Sequence, residues 1–272
     1  MPDRTALFEP SSGRERRRAE PARTTGGWQV VVAENAAAAH IGLQREHGIA
    51  DAVGAGARGP AIFIWRSQRA LIVARSQTRW LNFERAATEL AEIGWPVLTR
   101  RSGGGAFPIG PGTVQVAMMA RYADLGMAMD GVYDRLGLLI GSALAGFGIL
   151  AGVGDTPGAF CDGRHDLVVA GRKIAGLAQH WRLCGGGDRC ITAAASVLVE
   201  ADLAELAGIV DRFHAMCEQR IDIRPQALTT VRHNCDAVAL SRRDLTAEFL
   251  AHLATAANRL DGGCRPSWAN GE

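Results

Sequence analysis

The sequence contains almost no lysine, although it is not short of cations. Lys173 is the only lysine among its 30 basic residues, and arginine supplies the others. A solvated surface position accepts either cation, whereas a site that needs a compact charge with three mobile donors cannot use a flat guanidinium. The lone lysine therefore predicts a functional position at 173, with codon drift as the alternative explanation.

Charge excess, long apolar runs and paired cysteines are also missing. The 30 basic and 28 acidic residues nearly cancel, and no basic stripe is interleaved with aromatics, which argues against nucleic-acid binding. The apolar runs are too short or too interrupted to cross a bilayer, and we recognise no secretory signal. The six cysteines form no CxxC pair. We therefore expect reduced thiols and a cytoplasmic protein without a membrane partner.

A metal site is not expected either. Cys184 and Cys190 flank a run of three glycines, but no second ligand pair follows at zinc-finger spacing. We interpret this segment as a flexible glycine loop and predict no bound metal.

The pattern along the chain of 272 residues predicts one folded domain with polar ends. Residues 1–26 predict a disordered arginine-rich arm, residues 27–261 the folded domain, and residues 262–272 a flexible tail. Strands and helices mix without a regular βαβ order, which favours an α+β fold with mixed, mainly antiparallel sheets flanked by helices. The apolar runs 61–65 and 70–74 predict a hairpin of buried strands.

Arg100–Ala106 is the first of three segments that indicate chemistry. Gly103, Gly104 and Gly105 let the backbone approach a ligand closely and direct successive N–H groups at an anion or a carbonyl. The segment is neither a Walker P-loop nor a GxGxxG fingerprint. The alternative is a glycine-rich turn between strands.

The second segment places Cys161 just before a predicted strand. Its cationic neighbours Arg164 and His165 favour the thiolate, which is the nucleophilic form of a cysteine. A buried cysteine that acts only as a small apolar side chain is the alternative.

The third segment runs from Gly171 to Gln179 and contains Lys173. An ammonium beside the glycine run can hold an acyl carbonyl or a phosphate and stabilise oxyanion charge. Gly176 would let the strand pass close to a substrate. Gln179 is either a positioning donor or a surface residue.

In this order, the segments resemble motifs of the lipoate–protein ligase and octanoyltransferase superfamily. Ala70–Gln77 (ALIVARSQ) is similar to the family's strand that ends in a Gly-Arg-Asn-Gln type loop. Arg100–Ala106 matches the RRxGGG motif, and Asp166–Gln179 (DLVVAGRKIAGLAQ) matches D-x-x-V-x-G-x-K-x-x-G-x-A-Q. The resemblance covers roughly residues 28–260 and is closest to the cysteine-dependent lipoyl/octanoyl amidotransferase branch.

The resemblance implies a biotin/lipoate-ligase-like catalytic domain over residues 27–261 and a set of site residues. Cys161 and Lys173 would be catalytic, with the lysine on the acyl carbonyl. The implied substrate-binding residues are Gln77, Arg100, Arg101, Ser102, Gly103, Gly104, Gly105, Ala106, Asp166, Gly176 and Gln179. We expect an acyl tunnel lined by residues such as Phe107, Val114 and Ala175.

Three functions fit this resemblance. The first is transfer of an octanoyl or lipoyl group, through a Cys161 thioester and without a cofactor, to a lysine of a lipoyl carrier domain. That domain would belong to glycine cleavage H protein or a 2-oxoacid dehydrogenase E2, with acyl carrier protein as an alternative donor. The second is an ATP-dependent lipoate–protein ligase, which would need ATP and Mg. The third is a non-catalytic lipoate- or acyl-binding relative. The single helix expected after residue 243, where ligases usually carry an accessory domain, favours the transferase.

Overall fold

A computed structural model describes residues 27–122, 128–235 and 244–261, so the predicted arm 1–26 and tail 262–272 lie outside the described residues. Within those ranges the strands are β1 Gln29–Ala37, β2 Ala61–Ser67, β3 Ala70–Ala74, β4 Val97–Arg100, β5 Phe107–Ile109, β6 Thr113–Tyr122, β7 Gly152–Val153, β8 Leu167–Val169, β9 Arg172–Leu183 and β10 Arg189–Leu198. The helices are α1 Ala39–Gly54, α2 Phe83–Glu92, α3 Ala128–Ala145, α4 Leu203–Met216, α5 Val231–Asn234 and, as α6, Leu245–Asp261.

The strands form two sheets. A seven-stranded sheet has the order β1-β2-β6-β10-β9-β8-β7, and a three-stranded sheet has the order β4-β3-β5. Only the β1–β2 and β3–β4 pairs are parallel among the described strands. The predicted α+β fold with mainly antiparallel sheets is therefore confirmed.

The predicted hairpin between the runs 61–65 and 70–74 is wrong. Both runs are strands, but β2 pairs with β1 and β6, whereas β3 pairs with β4 and β5. Both strands are almost wholly buried, so their side chains show no alternation that would identify a partner. The chain passes from one sheet to the other through Gln68 and Arg69 alone.

Each face of the large sheet packs against helices. On one face, α3 and α6 contribute buried residues such as Leu136 and Phe249. On the other face, α1 and the small sheet with α2 and α4 enclose a second core that includes Leu43 and Phe213. No helix in the described ranges combines the length and the apolar character needed to cross a bilayer.

Candidate active site

A cavity lies between the two sheets, beside α1. Its empty volume, open side included, is about 930 Å³. Most of the wall is apolar. The apolar lining residues include Leu43, Ala50, Trp65, Ile72, Phe107, Ile109, Leu177 and Ala194. The space therefore suits a hydrocarbon chain.

The glycine segment after β4 folds around the side chain of Arg100. Arg100 Nη2 donates to the carbonyl oxygens of Gly103 at 2.9 Å and Gly105 at 2.7 Å. Gly104 has a φ of +103°, and a Cβ added there would lie 3.0 Å from the sulfur of Cys161. Gly104 is thus required by a left-handed turn and by the close approach of a thiol.

Arg101 points to a different partner. Its two terminal nitrogens donate to the Asp51 carboxylate at 2.7 and 3.2 Å. The hydrogen bonds from Arg101 lower the pKa of Asp51 below its usual range. Arg101 therefore lines the cavity while joined to α1, and Arg100 alone of the pair supports the glycine segment.

Cys161 lies in the cavity wall with its sulfur against the glycine segment. Its Sγ accepts a hydrogen bond from Gly105 N at 3.2 Å, and Arg100 Nη2 lies 3.7 Å away. Cys161 has a φ of +48°, a left-handed conformation that residues other than glycine rarely adopt. Such strain concentrates at functional sites and persists only where the surroundings hold it.

Lys173 is buried directly beneath Cys161. Its Nζ donates to the carbonyl oxygens of Phe160 at 3.0 Å and Cys161 at 2.6 Å. It also lies 2.7 Å from Asp166 Oδ2, and the two side chains are 0% and 2% exposed. Phe107 and Gly176 line the cavity in front of it, with the Phe107 ring centroid 5.7 Å from Nζ.

Asp166 joins the loop before β8 to strand β9. In addition to Lys173, its carboxylate accepts hydrogen bonds from Gly163 N at 2.9 Å and Leu177 N at 3.3 Å. Burial raises the pKa of Asp166, and the Lys173 ammonium and both backbone donors oppose that shift. Cys161 joins the other two parts of the site, since its sulfur contacts Gly105 N and its carbonyl oxygen accepts from Lys173, which Asp166 holds in place.

The other predicted site residues divide between the cavity wall and positions away from it. Ser102 lines the cavity, and Ala106 is buried beside Phe107. Gln77 is buried, and its Oε1 accepts a hydrogen bond from Ala74 N at 2.9 Å. Gln179 lies opposite Ala193, on the sheet face that packs against α3. The structure thus brings neither glutamine to the cavity wall.

Two of the residues expected to line the acyl tunnel do not line the cavity. Phe107 lines the cavity as expected, but Val114 and Ala175 belong to the core under α3 and α6. The expectation was wrong for these two residues because their strands are buried on both faces, and a buried apolar residue does not reveal which face it occupies.

Glu46 and Trp65 form a part of the wall that the motifs did not reveal. Glu46 is 9% exposed, and its Oε2 accepts a hydrogen bond from Trp65 Nε1 at 3.3 Å. Burial raises the pKa of Glu46 to about 7, while Trp65 and Arg101 act in the opposite direction. The sequence carried a signal for this position, because Glu46 continues the helical spacing of the buried residues Leu43, Ala50 and Val53 in α1.

His165 and Arg164 do not contact the sulfur as their sequence position suggested. The His165 ring stacks on Tyr133 with centroids 4.1 Å apart, and Arg164 Nε donates to His165 Nε2 at 3.1 Å. Burial, with a smaller contribution from Arg164, lowers the pKa of His165.

The chain is similar to known proteins in both sequence and fold. The chain is 34% identical to octanoyl-[GcvH]:protein N-octanoyltransferase of Kyrpidia tusciae over 73% of this chain and 69% of that protein. It is 31% identical to an uncharacterized protein of Cupriavidus necator over 75% of this chain and 85% of that protein. Among solved structures, lipoate-protein ligase A bound with ATP superposes with a TM-score of 0.58 at 15% identity, covering 86% of this chain and 85% of that one.

The structural likeness establishes the fold, and the sequence comparisons establish the family. The family model for the lipoyl protein ligase A/B catalytic domain matches residues 39–254, which include α1, the glycine segment, Cys161 and Lys173. The chain therefore belongs to the lipoyl protein ligase A/B catalytic domain family.

Proposed function

We propose that this protein is a cytoplasmic acyltransferase that moves an octanoyl or lipoyl group onto a lysine of a lipoyl carrier domain. Family membership supports this proposal, as does the name of the Kyrpidia relative, which describes octanoyl transfer from octanoyl-[GcvH] to protein. Glycine cleavage H protein is accordingly the first carrier to test. The E2 subunits of 2-oxoacid dehydrogenases are further acceptors, and acyl carrier protein is a further donor.

The cavity supports an acyl substrate. Its walls are mainly apolar, and Phe107, Trp65 and Ile72 contribute large surfaces to it. Burying a hydrocarbon chain stabilises the complex by about 0.8 kcal/mol per methylene. An octanoyl chain would thus gain roughly 5 kcal/mol, which is enough to dominate its affinity.

In the proposed reaction, Cys161 carries the acyl group as a thioester. Its thiolate attacks the acyl carbon of the donor, a carbon–sulfur bond forms, the bond to the donor breaks, and the donor leaves with a proton. The lysine amine of the acceptor then attacks, a carbon–nitrogen bond replaces the carbon–sulfur bond, and a proton returns to sulfur. Two easier steps replace one difficult step, and no ATP or metal is consumed.

The position of Cys161 Sγ is the observation that carries this mechanism. The sulfur lies in the cavity wall, within hydrogen-bond distance of Gly105 N, in a residue with a left-handed backbone. Replacing Cys161 by serine keeps the side chain nearly the same size but exchanges the thiol for a much weaker nucleophile. We expect Cys161→Ser to lower octanoyl transfer roughly a thousandfold or more.

The test uses purified protein, octanoylated H protein as donor and an apo lipoyl domain as acceptor, with intact mass spectrometry of all three proteins. Wild type should gain one octanoyl group on Cys161 when the acceptor is omitted. Cys184→Ser is the matched control, because Cys184 is half-buried at the end of β9 with its Sγ 3.8 Å from Arg182 O. The control should transfer at the wild-type rate.

Two other outcomes would replace the proposal. Acylation that requires free lipoate or octanoate with MgATP, and that survives Cys161→Ser, would indicate a ligase. Binding of the free acid without acylation of any lipoyl domain would indicate a non-catalytic relative.

A further inference from the structure

The hydrogen bonds of Lys173 leave it no donor for a substrate. An ammonium has three N–H donors, and here the three acceptors are Phe160 O, Cys161 O and Asp166 Oδ2. The side chain is fully buried, behind Gly176 and Phe107. All three N–H donors of Lys173 are thus used within the protein. To contact an acyl carbonyl, Lys173 would have to give up one of these bonds.

Two of those acceptors lie on either side of the same α-carbon. The carbonyl of Phe160 belongs to the peptide plane that precedes Cys161, and the carbonyl of Cys161 belongs to the plane that follows it. The φ and ψ angles of Cys161 describe how these two planes are rotated about its α-carbon. Drawing both oxygens to one nitrogen therefore fixes both angles, which explains how Cys161 maintains a φ of +48°.

Asp166 fixes the position of the nitrogen and also the far end of the loop. Its Oδ2 contacts Lys173 Nζ and accepts the hydrogen bond from Gly163 N, two residues after Cys161. Its Oδ1 accepts from Leu177 N, in the strand that lines the cavity. Through Lys173 and Leu177, Asp166 thus holds the loop against β9. In this position the Cys161 sulfur is directed at Gly105 N.

We infer that Lys173 and Asp166 are positioning residues that hold Cys161 in its left-handed conformation and aim its sulfur at the acyl site. This inference rests on the proposed function in assigning the acyl group to Cys161. It explains why the position needs an ammonium. The three N–H groups of an ammonium point in tetrahedral directions from one nitrogen to the three oxygens. A planar guanidinium spreads its donors over a wider fork.

The test measures the reactivity of Cys161 separately from acyl transfer. Methyl methanethiosulfonate is a small reagent without an acyl carbonyl, and peptide mass spectrometry reports its rate of reaction at Cys161. The main variant is Lys173→Met with Asp166→Leu, because removing both charges leaves neither buried alone. Lys173→Arg, which retains a charge for Asp166, is the second variant. Arg172→Met is the control, since it removes the neighbouring cation on the same strand.

The expected result is a fall of more than fivefold in the Cys161 rate in the double variant and in Lys173→Arg, with circular dichroism confirming the fold. Acyl transfer should fall at least as much, while the KM for the octanoyl donor changes less than twofold. Arg172→Met should retain both rates. If the double variant does not fold, the Lys173→Arg rate decides by the same threshold.

A smaller fall in a folded variant overturns the inference. In particular, a wild-type thiol rate combined with lost acyl transfer would show that Lys173 contacts the acyl group itself. Failure of the proposed function gives a different pattern. Wild type would then transfer no acyl group, while the thiol rates would still report whether Lys173 and Asp166 position Cys161.

Discussion

Glu46 should make the stability of this protein depend on pH in a defined window. Burial raises its pKa from 4.5 to about 7. A carboxyl with a raised pKa holds its proton more tightly in the folded state, so its contribution is fully present below about pH 4.5 and is lost as the pH rises through about 7. The shift corresponds to about 3 kcal/mol at about 1.4 kcal/mol per unit. Since Glu46 is only 9% exposed, solvent screening reduces this little.

Glu46→Gln removes the titration and keeps an acceptor for Trp65 Nε1. We expect the free energy of unfolding of wild type to fall by up to about 3 kcal/mol relative to the variant between pH 4.5 and 8. Urea unfolding of both proteins across this range measures the difference, which cancels the titration of all other groups. Glu92→Gln, at the exposed end of α2, is the control and should follow wild type.

Ionisation of Glu46 should also affect substrate binding, because Glu46 lines the acyl cavity. An ionised carboxylate loses water when a hydrocarbon chain enters, and this opposes binding. The KM for an octanoyl donor should therefore rise above pH 7 in wild type and not in Glu46→Gln. Equal pH dependence of unfolding in the two proteins would show that Glu46 is solvated in the folded state and would refute the reasoning.

Two further substitutions test the site and the fold. Gly104→Ala should lower acyl transfer at least about tenfold, because the residue has a φ of +103° and the added methyl would lie 3.0 Å from Cys161 Sγ; Gly185→Ala, where the methyl meets nothing within 4 Å, should retain the wild-type rate in the same assay. Asp202→Ala should lower the free energy of unfolding by about 1 kcal/mol, because Asp202 caps α4 by accepting from Ala204 N and Glu205 N at 3.0 Å each. Thermal or urea unfolding measures that loss, and an equal loss in Asp211→Ala, on the exposed face of the same helix, would contradict the capping explanation.

The local elements could be predicted from the sequence because their signals are local. The apolar runs 61–65 and 70–74 predicted strands, and both segments are strands, β2 and β3. The pairing partners of the strands could not be predicted in the same way. β2 and β3 are only two residues apart and both buried, yet they belong to different sheets. Pairing depends on the edges of strands that are distant in the sequence, and the residues next to a strand carry no information about those edges.

The site shows the same division. The motifs identified Lys173 and the glycine segment, and the position before a strand identified Cys161; the fold brings all three together. It did not reveal that the acceptors of Lys173 are backbone carbonyls, because any residue type supplies a carbonyl. Glu46 was missed for a different reason. One acidic residue in a helix usually lies on the solvated face, and only its spacing from Leu43 and Ala50 marks it as buried.

The buried pair of Lys173 and Asp166 has a consequence for how this sequence can change over generations. Losing either partner alone leaves one charge in a medium of low dielectric constant, at a cost of about 3–5 kcal/mol. That is a large share of the roughly 5–15 kcal/mol by which most proteins are stable. The space beside Nζ is also small, because a Cβ on Gly176 would lie 3.1 Å from it. In a lineage whose lysines are replaced one by one, Lys173 would therefore be expected to remain.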